Sequence, residues 1–283
     1  MSTVLVESRI VTLRDGVRIE VVESAGDGLP ILFLHGFTGA ASTWCGLLPS
    51  FGARRRAIAI SLPGHGGSDA PEDPSRYAAS RVTEDVLEVL DELGIPKVAL
   101  LGYSMGARVA LHTALAAPDR VGALIIESGS PGIADDAERA ERRAADEALA
   151  ADIERDGVEA FVDRWERLPL WESQSALPAA RREALRAQRL AGSARGLANS
   201  LRGLGAGVSA PLHERLRELA GVPVLLVCGA LDAKYVRIAS EMKELLPHAA
   251  LRVVEGAGHA VHLERPRELL GAVEDFLISI TTR

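Results

Sequence analysis

Short apolar runs alternate with amphipathic helical segments along most of the chain. Two runs near the N-terminus, residues 4–13 and 17–24, are separated by Arg-Asp-Gly and predict a β-hairpin. Six further runs are almost continuously apolar, as expected for strands buried on both faces of a parallel sheet. These runs are residues 30–36, 56–62, 97–104, 121–128, 222–232 and 250–259. The pattern predicts an α/β fold in which helices cover a mostly parallel eight-stranded sheet.

The alternation is interrupted once, between residues 131 and 210. This stretch contains no convincing strand, and its sequence is charged and helical, as in ADDAERAERRAADEALAADIE. We interpret it as a helical cap that is inserted after the sixth strand. The predicted division is therefore a core of residues 1–130 and 211–283 and a cap of residues 131–210.

A serine between two glycines follows the third of the six runs. Residues 102–106 read GYSMG and match the pattern G-x-S-x-G, with a strand before and a helical segment after. Such a sharp turn lifts the serine side chain above the sheet. Asp232 and His259 each follow a later strand, so that Ser104, Asp232 and His259 occur in the chain order of a nucleophile, an acid and a base.

The loop after the first of the six runs completes this candidate site. It reads His35-Gly36-Phe37, and we expect the backbone N–H groups of Phe37 and Met105 to form an oxyanion hole. Taken singly, the serine, the aspartate and the histidine also fit structural roles as a turn residue, a helix N-cap and a capping group. Their joint order at strand ends favours a catalytic triad.

Three further polar residues have weaker contexts. Glu127, after the sixth strand, is the alternative acid of the triad. His262 lies three residues beyond His259, and we expect it to be structural or to face the substrate. His65 in LPGHGGSD is predicted to shape its loop.

Composition and charge narrow the choice of partners. The net charge of −7 argues against nucleic acid and anionic membranes. The cysteines are Cys45 and Cys228, without a CxxC pair, so neither a disulfide scaffold nor a cysteine zinc site is indicated, and no metal is expected. The N-terminal sequence lacks a basic region followed by an apolar run, and no apolar run reaches about 18 residues. We therefore expect a cytoplasmic protein with no membrane span.

These motifs resemble the α/β-hydrolase fold superfamily across nearly the whole chain. The resemblance rests on HGF at 35–37, LPGHGGSD at 62–69, the serine turn, and the aspartate and histidine that follow it. The superfamily includes esterases, peptidases, dehalogenases, C–C hydrolases and lyases, so it implies the fold more strongly than the reaction. Two cap strings are more specific, W-x-x-L-P-L-W-x-S-Q at 165–174 and A-x-S-L-R-G-L-G-A-G at 198–207. With GYSMGAR and DAKY, they resemble the 2-succinyl-6-hydroxy-2,4-cyclohexadiene-1-carboxylate synthases of menaquinone biosynthesis.

Arg108 follows Ser104 by four residues and is therefore on the same helix face. A guanidinium beside an apolar pocket needs an anionic partner, and either a substrate carboxylate or a structural ion pair fits the spacing. The resemblance implies that the carboxylate-binding residues are Arg108, Arg142 and Arg189 and that Tyr103 and Trp165 line the pocket. We also expect His35 to contact the substrate.

The reaction implied by the resemblance is a lyase reaction on a small polyanion, without metal or cofactor. Pyruvate would be eliminated from 2-succinyl-5-enolpyruvyl-6-hydroxy-3-cyclohexene-1-carboxylate, with either Ser104 or His259 as the immediate base. An oxyanion hole suits this chemistry because the enolate, like a tetrahedral intermediate, carries its charge on a former carbonyl oxygen. The alternatives are a carboxylic-ester or C–C bond hydrolase that uses the same triad and a non-catalytic ligand receptor. The oligomeric state is not predicted.

Overall fold

One sheet of eight strands forms the centre of the computed structural model, which describes residues 5–52, 54–246 and 248–281. The strands are β1 (Val6–Thr12), β2 (Arg18–Ser24), β3 (Ile31–Leu34), β4 (Ala57–Ile60), β5 (Val98–Tyr103), β6 (Val121–Glu127), β7 (Val224–Gly229) and β8 (Ala250–Val254). Their order across the sheet is β1-β2-β4-β3-β5-β6-β7-β8. Strand β2 is antiparallel to both of its neighbours, and all other pairs are parallel.

The predicted strands are all present, with shorter bounds. The N-terminal hairpin pairs β1 with β2 in the register Val11 to Ile19, although the predicted start at residue 4 lies outside the described residues. Strands β7 and β8 end before the predicted limits of 232 and 259. Residues 257–260 are nevertheless buried. The apolar sequence therefore continues beyond β8 because the loop that follows this strand is buried, whereas Leu231, after β7, is 65% exposed.

Helices flank the sheet on both faces and fill the interval between β6 and β7. In the described parts of the chain the α-helices are α1 (Leu48–Gly52), α2 (Ala79–Glu92), α3 (Met105–Ala116), α4 (Asp136–Trp165), α5 (Ala179–Leu190), α6 (Ala194–Leu204), α7 (Ala233–Leu245), α8 (Val261–Glu264) and α9 (Pro266–Thr281). Short 3₁₀ helices span Ala41–Trp44, Pro74–Tyr77, Pro118–Arg120, Pro169–Ala176 and His213–Gly221. Helix α4 is kinked at Gly157, whose φ of 84° is non-helical. No helix in the described residues is long and apolar enough to cross a membrane.

Alternate residues of the central strands enter two separate cores, as the period of two in a strand requires. Leu32 and Leu34 of β3 face the core that contains α2 and α3, whereas Ile31 and Phe33 face the opposite one. On that second face, Phe33 packs against Trp44 with ring centroids 5.1 Å apart. Both faces of the sheet are therefore apolar, which explains the continuous apolar runs in the sequence.

Between β6 and β7, the described residues form helices and turns, with a small core of their own. Ile153 and Phe161 of α4 pack with Leu197 and Leu201 of α6 in this core. Phe161 also contacts Phe37 of the loop after β3, with ring centroids 6.0 Å apart. The predicted fold, a mostly parallel eight-stranded sheet with a helical insertion after the sixth strand, is confirmed.

A buried hydrogen-bonded pair, a carboxyl group and an imidazole, joins the end of β6 to α8. The Glu127 Oε1 atom accepts hydrogen bonds from the backbone N–H of His262 at 2.9 Å and from its Nδ1 atom at 2.8 Å. Both side chains are fully buried, and the imidazole lies between the rings of Trp44 and Tyr103, at centroid distances of 4.6 and 4.5 Å. A carboxylate removed from water is tolerated only when it is paired and hydrogen-bonded. This pair therefore contributes to stability chiefly by compensating Glu127.

Replacing His262 by leucine should destabilise the protein by about 3–5 kcal/mol, because it leaves a buried carboxylate without its imidazole partner. The double variant E127L/H262L should recover most of this loss, since it removes the charge as well. Urea unfolding followed by circular dichroism measures both. The control is H248L at an exposed turn position, which should change the free energy of unfolding by less than about 0.5 kcal/mol. A loss below 1 kcal/mol for H262L, with no gain in the double variant, would contradict this account.

Candidate active site

Ser104 occupies a strained turn between β5 and α3. Its φ of 52° and ψ of −107° lie in a region that residues with a side chain rarely adopt. A Cβ atom at Gly102 would collide with the Gly106 carbonyl group, and one at Gly106 would collide with that of Leu34. The backbone N–H of Ser104 donates to the Glu127 carbonyl oxygen at 2.9 Å. The two glycines thus allow the close approach that lifts the serine out of the sheet.

The structure brings Ser104, His259 and Asp232 into one hydrogen-bonded chain. The Asp232 Oδ2 atom accepts from His259 Nδ1 at 2.7 Å, and His259 Nε2 lies 3.0 Å from Ser104 Oγ. Because the Nδ1 proton is held by the carboxylate, Nε2 is left as the acceptor for the serine hydroxyl. The Asp232 Oδ1 atom also accepts the Tyr235 N–H at 3.3 Å, which caps α7 and fixes the carboxylate. This arrangement can remove a proton from the serine or, through it, from a ligand.

The predicted oxyanion donors are both beside Ser104. Phe37 and Met105 line the same cavity as the serine, and within the described residues neither backbone N–H has a protein acceptor. Met105 is the first residue of α3, where an N–H group has no acceptor in its own helix. The ring of His65 packs on this loop, with Nε2 2.6 Å from the Phe37 carbonyl oxygen. His65 therefore shapes the loop, as expected, and burial lowers the pKa of its imidazole.

His35 differs from its prediction as a substrate contact. Its side chain is fully buried and is not part of the cavity lining. The Nε2 atom accepts the Leu62 N–H at 2.9 Å, and Nδ1 donates to the Gly36 carbonyl oxygen at 2.7 Å. Burial, together with neighbouring His65, holds the pKa of the His35 imidazole well below its usual value. The prediction is wrong because both ring nitrogens are engaged by backbone groups, and the neutral ring holds two loops together.

A cavity of about 850 Å³ lies over Ser104, between the sheet and the helical insertion. Apart from His35 and Asp232, the predicted site residues line it: Phe37, Tyr103, Ser104, Met105, Arg108, Arg142, Trp165, Arg189 and His259. Tyr103 packs against the ring of His259, and Trp165 against that of Phe37, with centroid distances of 5.4 and 5.5 Å. The cavity walls are thus aromatic near the triad. This volume suits a substrate of drug-like size.

Arg108 is a partly buried cation that has no carboxylate partner among the described residues. Its Nη2 atom donates to the Leu204 carbonyl oxygen at 2.8 Å, and its Nε atom has no acceptor in this part of the chain. Burial lowers the pKa of the guanidinium, although an arginine remains protonated in proteins. The spacing allowed either a substrate carboxylate or a structural ion pair as the partner of Arg108. The described residues provide no acidic side chain for such an ion pair.

The other two predicted arginines already have acidic partners. Arg142 is half exposed, and its Nε atom donates to Asp146 Oδ1 at 2.8 Å, one turn further along α4. Arg189 is buried, and its Nη1 atom donates to Glu166 Oε1 at 2.9 Å. A ligand carboxylate at either position would share the guanidinium with a protein carboxylate. Spacing along the sequence gives no sign of the pair between Arg189 and Glu166, which are 23 residues apart.

In the described residues, Glu127, the alternative acid, bonds to the triad through its backbone carbonyl group, which accepts the Ser104 N–H, and not through its carboxylate. Its carboxylate pairs with His262, while Asp232 bonds to His259. His262 lines the cavity, but its Nδ1 atom is used by this buried pair. The expected structural role for His262 is therefore what the contacts show.

Several cavity residues were not predicted from the sequence. Trp171, Gln174 and Asp146 line the cavity, and each has a buried polar atom without a partner in the described residues. Trp171 and Gln174 belong to the string W-x-x-L-P-L-W-x-S-Q, so the motif itself was the available signal. Asp146 follows Arg142 by four residues, the spacing of a helical ion pair.

Comparisons with known proteins agree with this architecture. A family model described as the alpha/beta hydrolase fold matches residues 30–266. A Bacillus subtilis (strain 168) protein provisionally named 2-succinyl-6-hydroxy-2,4-cyclohexadiene-1-carboxylate synthase is 42% identical over 271 residues, which cover 95% of this chain and 98% of that protein. The synthase of that name from Klebsiella pneumoniae is 32% identical and covers 91% and 98% of the two chains.

Solved structures show the same relationship. MenH from S. aureus superposes with a TM-score of 0.88 at 34% identity, covering 92% of this chain and 98% of that chain. A malate-bound thermophilic esterase from Thermogutta terrifontis, at 24% identity and a TM-score of 0.83, shares the fold. The chain therefore belongs to the alpha/beta hydrolase fold family and, within it, to the 2-succinyl-6-hydroxy-2,4-cyclohexadiene-1-carboxylate synthases.

Proposed function

We propose that the protein is a lyase that eliminates pyruvate from 2-succinyl-5-enolpyruvyl-6-hydroxy-3-cyclohexene-1-carboxylate in menaquinone biosynthesis. The observation that carries the proposal is Arg108, a partly buried cation without a carboxylate partner in the described residues, which lines the same cavity as Ser104. An ester hydrolase has no need of a guanidinium at this position. A substrate with three carboxylates supplies the missing anion and benefits from the low dielectric of the cavity.

The reaction begins with removal of the ring proton next to the succinyl ketone. Ser104 Oγ takes this proton while its own passes to His259 Nε2, 3.0 Å away. Asp232 stabilises the imidazolium that forms. The ketone oxygen becomes an enolate oxygen, which in this proposal accepts hydrogen bonds from the N–H groups of Phe37 and Met105.

Elimination follows from the enolate. Its electrons return through the ring double bond, the C–O bond to the enolpyruvyl group breaks, and the ring gains its second double bond. The leaving group is the enolate of pyruvate, which takes up the proton held by His259. The balance needs no oxidant, reductant or water, and we propose that the reaction uses neither metal nor cofactor.

In this proposal the three arginines differ in how strongly they bind the substrate carboxylates. Arg108 is available for a bidentate pair with one substrate carboxylate. Arg142 and Arg189 share their charge with Asp146 and Glu166 and add weaker attraction. Tyr103 and Trp165 would be walls of the pocket. We further propose a cytoplasmic location, consistent with the small charged substrate.

Hydrolysis of a carboxylic ester or of a C–C bond is the second candidate function. The hydrogen bond between Ser104 Oγ and His259 Nε2 favours it, because the same contact activates a serine for acyl transfer. The two functions differ in the covalent step: hydrolysis passes through an acyl-serine or a serine-activated water, whereas elimination forms no acyl-enzyme.

Purified protein mixed with the enzymatically generated substrate should release pyruvate quickly, and it should hydrolyse p-nitrophenyl acetate slowly. Lactate dehydrogenase with NADH reports the pyruvate, and absorbance at about 400 nm reports the p-nitrophenolate. Rapid ester turnover with a burst of p-nitrophenolate, together with negligible pyruvate, would reverse the ranking of the two functions.

Asp232→Asn should lower kcat for pyruvate release by about 10³–10⁴-fold, because the amide no longer holds the imidazole in the tautomer that accepts the serine proton. Asp136→Asn in the exposed first turn of α4 is the matched control and should leave kcat unchanged. The kcat of both variants is measured from pyruvate release, by stopped-flow or steady-state kinetics. A loss under tenfold would remove Asp232 from the mechanism.

Arg108→Lys should raise KM for the substrate roughly 10- to 100-fold, since an ammonium cannot form a bidentate pair with a carboxylate. The control is Arg252→Lys on the exposed edge strand β8, which should leave KM unchanged. Steady-state kinetics at two salt concentrations provide the measurement. Equal KM values for wild type and R108K would refute the carboxylate-binding role and leave the triad untouched.

A further inference from the structure

Three neighbouring side chains of the helical insertion present buried N–H groups without acceptors. Arg189 Nε, Gln174 Nε2 and Trp171 Nε1 have no hydrogen-bond partner among the described residues. Arg189 and Gln174 are 5% exposed and Trp171 is 9% exposed, and all three line the cavity. Buried donors are costly unless they are satisfied, and native structures leave few of them. Three together on one cavity wall indicate a missing acceptor.

The orientation of the Gln174 amide is set by its neighbour. Arg189 Nη2 donates to Gln174 Oε1 at 3.2 Å. A guanidinium has donors and no acceptor, so the amide must turn its oxygen toward Arg189. Its NH₂ group is then directed away from Arg189, where no protein acceptor lies within the described residues. Arg189 thus positions Gln174 as a donor toward a ligand.

Trp171 contacts both the triad base and Arg189. Its indole lies 5.6 Å from the His259 ring between centroids, and the Arg189 guanidinium carbon lies 5.4 Å from the indole centroid. The hydrogen bonds of Arg189 are to Glu166 and Gln174, so the donors of Arg189 and Gln174 lie outside the hydrogen-bonded chain of the triad. A ligand group held there does not take part in proton transfer.

The donors of this group determine what kind of acceptor fits. All three atoms without partners are donors, so they require oxygen lone pairs. Glu166 accepts from Arg189 Nη1 at 2.9 Å and from Arg186 Nη1 at 2.8 Å. Arg186 also pairs with Asp163 at 2.6 Å, so Glu166 and Asp163 already compensate the two guanidiniums. A carboxylate offers several lone pairs to converging donors and is attracted by the arginine charge.

We propose that Gln174 and Trp171 form, with Arg189, a distal subsite for a substrate carboxylate, and that they are specificity-determining residues. The inference rests on the proposed function and adds two recognition residues to it. Because the subsite holds a group remote from the reacting carbon, its contribution is uniform binding, which changes KM more than kcat.

The test compares Gln174→Leu with Gln188→Leu in the full chain. Gln188 lines the same cavity, but its amide is fully used: Oε1 accepts from Ser42 Oγ at 3.3 Å, and Nε2 donates to Thr43 Oγ1 at 2.9 Å. Q174L should raise KM for the enolpyruvyl substrate about 10- to 100-fold with kcat within about twofold, because a donor to a charged acceptor is lost. Q188L should change KM by less than about threefold.

A second variant removes the indole N–H donor of Trp171 and keeps an aromatic ring at this position. Trp171→Phe should raise KM severalfold, with kcat within about twofold and an unchanged circular dichroism spectrum. A merely structural role for these residues would lower thermal stability without separating KM from kcat. KM values for both Q174L and W171F within twofold of wild type would overturn the subsite.

Failure of the proposed function gives a different result from failure of the subsite. Wild-type protein that releases no pyruvate would overturn the proposed function itself. Binding of cyclohexane-1,3-dicarboxylate, followed by quenching of tryptophan fluorescence, then tests the subsite alone. Binding that Q174L weakens at least tenfold and Q188L retains supports it. Equal affinities of the three proteins, or no binding to wild type, overturn it.

Discussion

The close approach of α3 to the end of β3 is the constraint on which the site depends. Gly106 lies against the Leu34 carbonyl group without room for a side chain, and this contact brings the start of the helix beside the loop that contains Phe37. The backbone of Ser104 takes up the resulting strain. In the proposed mechanism, the N–H groups of Phe37 and Met105, which both line the cavity, form the oxyanion hole. The packing of α3 against β3 then determines both the local fold and the oxyanion site.

Basic and acidic side chains are equal in number in the cavity lining, which contains Arg108, Arg142, Arg189, Lys234 and Arg237 together with Asp135, Glu138, Glu141, Asp146 and Glu241. Carboxylates of the helical insertion balance most of the buried or half-buried arginine charge, as Asp146 does for Arg142 and Glu166 for Arg189. Arg108 is different, because its described contacts are to a carbonyl oxygen rather than to an acid. As a result, most of the arginine charge is compensated when the site is empty, and the Arg108 guanidinium remains available to bind an anion.

The fold and the triad could be predicted from the sequence because both depend on the order of residues over short stretches of the chain. Strand periodicity, the glycines around Ser104, and the chain order of Asp232 and His259 each constrain one position at a time. The direction of a side chain is not constrained in this way. His35 was misassigned because its neighbours in sequence give no sign of the Leu62 N–H that holds its ring. Partners more than a helical turn apart in sequence, such as Glu166 for Arg189, are set by packing of the insertion and were equally hidden.

The amide of Gln188 joins α5 to Ser42 and Thr43, a few residues after the oxyanion loop. Both contacts are hydrogen bonds between uncharged groups, and such bonds contribute only about 0.5–1.5 kcal/mol each. The insertion is therefore held to the core at this point by contacts that a bound ligand can readily outweigh. Entry of a ligand beneath α5 then requires no unfolding of the sheet or of the insertion.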